Sequence, residues 1–153
     1  MASEVVLRAA TGDDVAALVE VERASFAFPN WPADTFLQYD CTVAEAAGRI
    51  VGFLVSRQIF PGSSTAPPER EILNLAVAPE YRRSGVAISL LRNEFRQRAV
   101  FLLEVRESNL AAQALYERLG FEEISRRKDY YDNPAETAIV MHMRRLTVFD
   151  SFV

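Results

Sequence analysis

The chain has 153 residues, half of them apolar and a quarter charged, with a formal net charge of −4. That is the size and balance of one ordinary water-soluble domain, able to bury roughly two thirds of the surface its unfolded chain exposes. The mildly acidic balance argues against a nucleic-acid coat, the single cysteine, Cys41, excludes an internal disulfide, and no apolar run approaches the ~18 residues of a membrane span.

The chain opens on MASEVVLRAATGDD, without a basic leader and apolar run of the signal-peptide kind. With one thiol and no such leader, the expected compartment is the reducing cytoplasm. EVVLRAA, Glu4 to Ala10, reads as a first strand. TGDDVAALVEVERASF reads as a helix, with Thr11 and Asp14 spaced for a capping box and Val15, Leu18, Val19, Glu22 and Phe26 at helical intervals. Glu22 is the polar exception on that face. FPNWP breaks the helix, and PADTFLQYD is a short second one with Pro32 near its first turn.

TVAEAAGRIVGFLVSRQIF reads as a β-hairpin turning at Gly48. PGSSTAPPE is a surface loop rather than a domain boundary, since both flanks read as strands. REILNLAVA is the next strand and SGVAISLLRNEFRQRA a helix. VFLLEVR is a strand, and NLAAQALYERLG a helix ended by Gly120. FEEISRRKDYY and ETAIVMHMRRL close the chain as two strands around DNPA. The order βααβββαβαββ makes one α/β or α+β domain over residues 1–153 with a mixed, mostly antiparallel central sheet flanked by helices.

Three places could carry chemistry. In YRRSGVAISLL, a helix N-terminus with unpaired N–H groups follows a strand directly, with Gly85 allowing close approach and Arg82 and Arg83 adding charge. Such a terminus attracts phosphate, although a plain strand-to-helix turn with solvated arginines reads equally well. It is neither a Walker loop nor a three-glycine dinucleotide fingerprint. In FLLEVRESN, Glu104 interrupts an apolar strand, which is costly unless the carboxylate is paired or used. A purely structural partner would be Arg106, two residues on and on the same strand face. Asn109 fits as a helix cap, and Tyr116 as a core tyrosine beside Leu115 and Leu119.

Together, in this order and at these spacings, the segments resemble the GNAT family of acetyl-CoA-dependent N-acetyltransferases. The motif of that family runs Gln or Arg, two residues, Gly, one residue, then Gly or Ala. Here it stands as Arg82, Arg83, Ser84, Gly85, Val86, Ala87. The resemblance covers nearly the whole chain. LNLAVAPEYRRSGVAISLL, LEVRESNLAAQALYERLGF and RRKDYYDNPAETAIVM are similar to the branch that acetylates the N-terminal alanine of small-subunit ribosomal protein eighteen. FAFPNWPADTF is similar to the Phe-x-x-Pro-Trp segment of that branch, with Asn30 as an extra residue.

The resemblance implies acetyl-CoA as co-substrate and a protein N-terminus as acceptor, with no metal, nucleic acid or membrane. Leu75, Ala76 and Val77 would bind the acetyl-pantetheine arm through the main chain. Arg83, Ser84, Gly85, Val86, Ala87 and Ile88 would hold the pyrophosphate through N–H groups, with Arg82 opening the motif. Asn109 would contact the cofactor. Glu104 would be the general base, directly or through a water, and Tyr116 the general acid. Lys128, Tyr130 and Tyr131, with Phe28 and Trp31, would line the acceptor side, unless they are ordinary hairpin packing.

The chemistry agrees with these roles. An α-amine, with a reference pKa near ~7.8, is more easily uncharged at neutral pH than a lysine near ~10.4. A backbone N–H near Val77 would meet the oxyanion. Direct attack needs no enzyme nucleophile, so Cys41 reads as a bystander ahead of a strand and His142, between two methionines, as structural. Two departures stand out. Ile88 replaces a commoner polar or basic residue. Between Leu91 and LEVR the chain is shorter than is usual in this branch by about five residues, more than one helical turn. Either the helix ends early, near Arg96, or residues are missing from the sequence as given; with the chain intact, the strand register and the direction of Glu104 are in question. Other readings are an acetyltransferase for lysine or a small amine, a non-catalytic acyl-CoA-binding module, and a protein-binding adaptor. Glu104 and Tyr116 speak against a mere binding module, and the phosphate loop against an adaptor.

Overall fold

The computed structural model describes residues 4–26, 31–132 and 134–146. Strands and helices alternate as β1 (Val5–Ala9), α1 (Val15–Ser25), β2 (Asp40–Ala46), β3 (Arg49–Phe60), β4 (Glu69–Val77), α2 (Val86–Glu94), β5 (Ala99–Arg106), α3 (Leu110–Arg118), β6 (Glu122–Tyr131) and β7 (Glu136–Arg145). The strands form one mixed sheet in the order β1-β2-β3-β4-β5-β7-β6. β4 and β5 pair in parallel, whereas β1 with β2, β2 with β3, β5 with β7 and β6 with β7 are antiparallel. The expected element order holds, with one correction: the short second helix, Ala33–Gln38, is a 3-10 turn.

The chain gathers into two compact units, one of residues up to Arg57 with Leu73–Arg96, the other of Gln58–Ile72 with the chain from Gln97 onward. In the first, α1 sends Leu18 and Val21 into a cluster with Phe36, Val43, Phe53 and Val55. α2 belongs to the opposite face of β3. A Cβ on Gly52, next to Phe53 and so on the other face, would meet Val86 Cγ1 and the Ala76 carbonyl, each at 3.1 Å. The β2–β3 turn needs two left-handed residues, Ala47 (φ 51°) and Gly48 (φ 75°), as a tight hairpin does. The capping box forms as its spacing indicates: the Thr11 N–H donates to Asp14 Oδ2 at 2.8 Å. Asp14 also takes both terminal nitrogens of Arg8, at 2.8 and 2.9 Å, which ties β1 to the start of α1. Cys41 lies inside β2 rather than ahead of a strand.

In the second unit β5 alternates strictly. Ala99, Phe101, Leu103 and Val105 are buried, while Val100, Leu102, Glu104 and Arg106 are half-buried. β7 adds Ala138, Ile139, Met141 and Met143 to the core. α3 ends as a glycine at its C-terminus dictates. Gly120 (φ 103°) donates to the Glu117 carbonyl and Phe121 to the Tyr116 carbonyl, at 3.1 and 3.0 Å. α2 stops at Glu94 and β5 begins at Ala99, so the shortened segment is absorbed by an early helix end, close to the place anticipated.

Candidate active site

The first unit carries the strand, loop and helix that begin the motif. It holds the end of β4, with Leu75, Ala76 and Val77, while Glu69–Ile72 of that strand belong to the second unit, where they pair in parallel with Val100–Leu103 of β5. The peptide after Val77 is gripped on both sides. Its carbonyl receives Ser25 Oγ and Arg82 Nε, each at 3.3 Å, and its N–H, from Ala78, donates to the Val51 carbonyl at 2.8 Å. A 3-10 turn at Pro79–Tyr81 follows, held by a bond from Ser84 Oγ to the Tyr81 carbonyl and an Arg49–Glu80 ion pair. Arg83 (φ 62°) and Gly85 (φ 83°) are both left-handed, and α2 starts at Val86.

The bond from Ser89 N to the Gly85 carbonyl, 3.0 Å, is the first of α2. Helix geometry therefore leaves the N–H groups of Val86, Ala87 and Ile88 without a carbonyl one turn back. They carry the positive end of the helix dipole, beside the exposed Arg82, Arg83 and Ser84. An anion would be held here by main-chain donors and two guanidinium groups. Ile88 is half-buried, and the contribution of its backbone N–H does not depend on its side chain.

Trp31, on the candidate acceptor side, packs its ring 5.5 Å from Phe36 and 6.2 Å from Tyr39, and its backbone N–H donates to Glu22 Oε1 at 3.2 Å. That bond gives the polar exception on α1 a task. Phe28 lies outside the described residues.

The second unit holds the proton-moving candidates. Glu104 projects from the half-buried face of β5, and its side chain is 17% exposed. Its ion-pair partner is Arg127 of β6, Nη1 to Oε1 at 2.9 Å, and not Arg106 as strand spacing alone implied. Arg106 pairs instead with Glu136, at 3.4 Å, because Ala138 and Glu136 of β7 lie beside it. Arg127 stacks 4.5 Å from the centroid of Tyr130, and Arg106 4.3 Å from that of Tyr131. The two tyrosines meet edge to face at 5.1 Å. Glu104 pushes the Tyr130 phenol up, through hydrogen bonding first. Tyr131 is pushed up to about 12, by burial and then by the Glu104 charge, with Tyr116 a smaller contributor. Tyr131 thus lies in the fields of both Glu104 and Tyr116.

Tyr116 is buried, its ring 5.7 Å from Phe121, and burial pushes its phenol to about 12. Asn109 caps α3, its Oδ1 accepting from Ala112 N at 3.1 Å. Glu136 accepts from the Ser108 N–H at 2.5 Å, which fixes the turn just before that cap. Lys128 is exposed, in the bulge between Arg127 and Tyr131 where the β6 register shifts.

Sequence reading missed Ser25, Arg127 and Glu136. Ser25 looks like a helix end and Glu136 like a strand start. Arg127 stands unremarked within RRKDYY, and parity along β6 points it to the face of Glu104 only once the β6–β7–β5 register is known.

Comparison with known proteins bears on the family and the fold. The family pattern described as the acetyltransferase (GNAT) family matches residues 15–121. The chain is 34% identical over 143 residues to the [ribosomal protein bS18]-alanine N-acetyltransferase of Escherichia coli K12, spanning 84% of this chain and 89% of that one. It is 32% identical over 137 residues to the protein of the same name from Haemophilus ducreyi, spanning 81% and 89%. The crystal structure of the ribosomal-protein-S18-alanine N-acetyltransferase from Escherichia coli superposes with a TM-score of 0.81 at 29% identity, over 98% of this chain and 99% of that one. A family pattern over most of the chain, relatives above 30% identity and a matching overall fold leave one conclusion: the chain belongs to the GNAT family of acetyltransferases.

Proposed function

We propose that this protein transfers the acetyl group of acetyl-CoA to the α-amine of a protein that begins with alanine, ribosomal protein bS18 being the acceptor, a RimI-type reaction. The observation that carries the reading is the likeness to the Escherichia coli bS18-alanine N-acetyltransferase along nearly all of both chains. Each step is assigned to residues of this chain.

The main chain of Leu75, Ala76 and Val77 takes the acetyl-pantetheine arm, and the Val77 N–H meets the oxyanion. The clamped peptide after Val77 keeps that stretch rigid, as a preorganised donor must be. The N–H groups from Arg83 to Ile88 take the pyrophosphate, with Arg82 and Arg83 supplying charge. Asn109 contacts the cofactor with what its cap leaves over.

Glu104 accepts the proton of the amine, directly or through a water, as the nitrogen attacks the thioester carbon. The C–S bond then breaks and the electron pair leaves on sulfur. Tyr116 stays protonated at neutral pH and donates toward that sulfur. A thiol like cysteine titrates near ~8.5, so transfer from a phenol at about 12 runs uphill. Tyr116 therefore acts as a hydrogen-bond donor whose proton moves only as charge builds on the leaving group. Tyr130 and Tyr131, with Lys128, Phe28 and Trp31, line the acceptor side.

Mass spectrometry of a bS18 N-terminal peptide incubated with acetyl-CoA tests this, beside the same peptide with a blocked α-amine and a lysine-bearing peptide. Acetylation of the alanine α-amine alone is the expected result. Transfer only to lysine or to small amines would reject the acceptor.

A further inference from the structure

Glu104 of β5 stands opposite Val140 of β7, which stands opposite Ser125 of β6. Residues paired across a sheet share a face, and Arg127, two beyond Ser125, shares it too. β5 and β6 are roughly 10 Å apart across β7, a gap that a long arginine side chain spans. The pair it makes is lopsided. The Glu104 side chain is sheltered, whereas that of Arg127 is 57% exposed and joined to the carboxylate by Nη1 at 2.9 Å. Among the described residues its other support is the face of Tyr130.

Arg106 shows what an anchored guanidinium looks like on the same face. It donates to the carbonyls of Pro134 and Asp132 at 3.1 and 3.3 Å, pairs with Glu136 and stacks on Tyr131. Its side chain is 27% exposed. Arg106 braces the hairpin end, and Arg127 rests at the water side of the carboxylate with far less to hold it.

A sheltered carboxylate beside a tyrosine face is a receptor for one cationic N–H donor. In the free protein that cation is Arg127. An acceptor amine arrives mostly as an ammonium and needs the same carboxylate. We propose that Arg127 is a displaceable latch. It holds Glu104 in the free enzyme in place of the acceptor's ammonium group, and swings to solvent when the acceptor binds. This rests on Glu104 being the base. The latch keeps the carboxylate oriented while the site waits and sets an entry cost against every acceptor, so Arg127 is a positioning residue that governs acceptor affinity rather than the chemical step.

The test is steady-state kinetics with the alanine-starting peptide for the wild type, Arg127→Gln and Arg127→Lys. An exposed ion pair is worth little, so the acceptor KM of Arg127→Gln should fall about two- to fivefold. Its kcat and its KM for acetyl-CoA should stay within about twofold, because the arginine has already left the ternary complex. Arg127→Lys keeps a cation within reach of Glu104 and should keep the wild-type acceptor KM. An unchanged or raised acceptor KM in Arg127→Gln, or a fall in kcat of the same size, overturns the latch. NMR of the arginine side chains reads the pair without turnover: the Arg127 guanidinium should be restricted in the free wild type and released in Glu104→Gln. A freely rotating Arg127 in the wild type overturns the proposal whatever the substrate. If the wild type acetylates a small amine but no peptide, the bS18 reading falls. The latch then predicts the same drop in KM for that amine, and its absence overturns it.

Discussion

Asp14 accepts both terminal nitrogens of Arg8, at 2.8 and 2.9 Å, and is itself almost buried. Hydrogen bonds from Arg8 first, and from the Thr11 backbone next, hold its carboxyl well below the usual carboxylate range. A depressed folded-state pKa means stability that is fully present above the unfolded value near ~3.9 and lost as the pH falls further. Chemical denaturation should therefore show no loss from this group between neutrality and about pH 5, then a decline. Asp14→Asn should cost about 1–2 kcal/mol at pH 7, the low end for a broken pair because Arg8 stays partly in water. The deficit should shrink as acid protonates the wild-type carboxyl.

Gly52 lies under α2, and a methyl group there would sit 3.1 Å from both the Ala76 carbonyl and Val86 Cγ1. One of the two neighbours is backbone and cannot rotate aside. Gly52→Ala should lower stability by about 1–2 kcal/mol. It should also raise the KM for acetyl-CoA by displacing the Ala76 peptide, as paired thermal melts and kinetics would show.

Gly85 presents the opposite case. A Cβ there meets nothing within 4 Å, but the residue is left-handed at φ 83°. Gly85→Ala should cost about 1–2 kcal/mol of backbone strain without a clash. The helix start should relax toward right-handed geometry, and binding of CoA, followed by calorimetry, should weaken more than the melting temperature falls.

Glu104→Gln should reduce kcat by about 10²–10⁴, the usual scale for a general base, while acetyl-CoA binds as before. Tyr116→Phe keeps the ring packing on Phe121 and should lose about 10² in kcat. Full binding without turnover separates a catalytic centre from a module that only senses acyl-CoA. Unchanged turnover in both variants would remove these residues from the mechanism.

Cys41 is pushed to about 12, by burial first and then by the Asp14 charge. The thiolate is the reactive form, so a raised pKa leaves very little of it at pH 7. Ellman's reagent should leave the native protein unmodified and titrate one thiol once denaturant unfolds it. Fast reaction in the native state would contradict a raised thiol pKa.

Much of the fold was legible because its signals are local. The Thr11–Asp14 box, the Gly48 turn and the Gly120 helix end each depend on residues within one turn of one another, and each forms where the sequence places it. The short second helix was misread in kind, because a six-residue segment holds too few helical bonds for its sequence to separate α from 3-10 geometry. The early stop of α2 came from the resemblance, in which the segment before LEVR is longer by about one turn. Periodicity alone had carried the helix to Ala99, whereas four residues join α2 to β5.

The candidate site divides along the same line. Arg82 to Ile88 is one continuous stretch, and a helix N-terminus just after the strand was readable from it; the left-handed Gly85 moves the helix start to Val86, two residues later than read. The partner of Glu104 was not readable. Along β5 its same-face neighbour is Arg106, the structural partner that strand spacing offered. The ladder through β7 to β6, with its shift between Arg127 and Tyr131, instead brings up an arginine 23 residues away and gives Arg106 to Glu136. By itself the sequence determined which residue types stand at which strand positions. Which charges meet was decided by strand order and register, because residues remote in the chain become neighbours only when the sheet assembles.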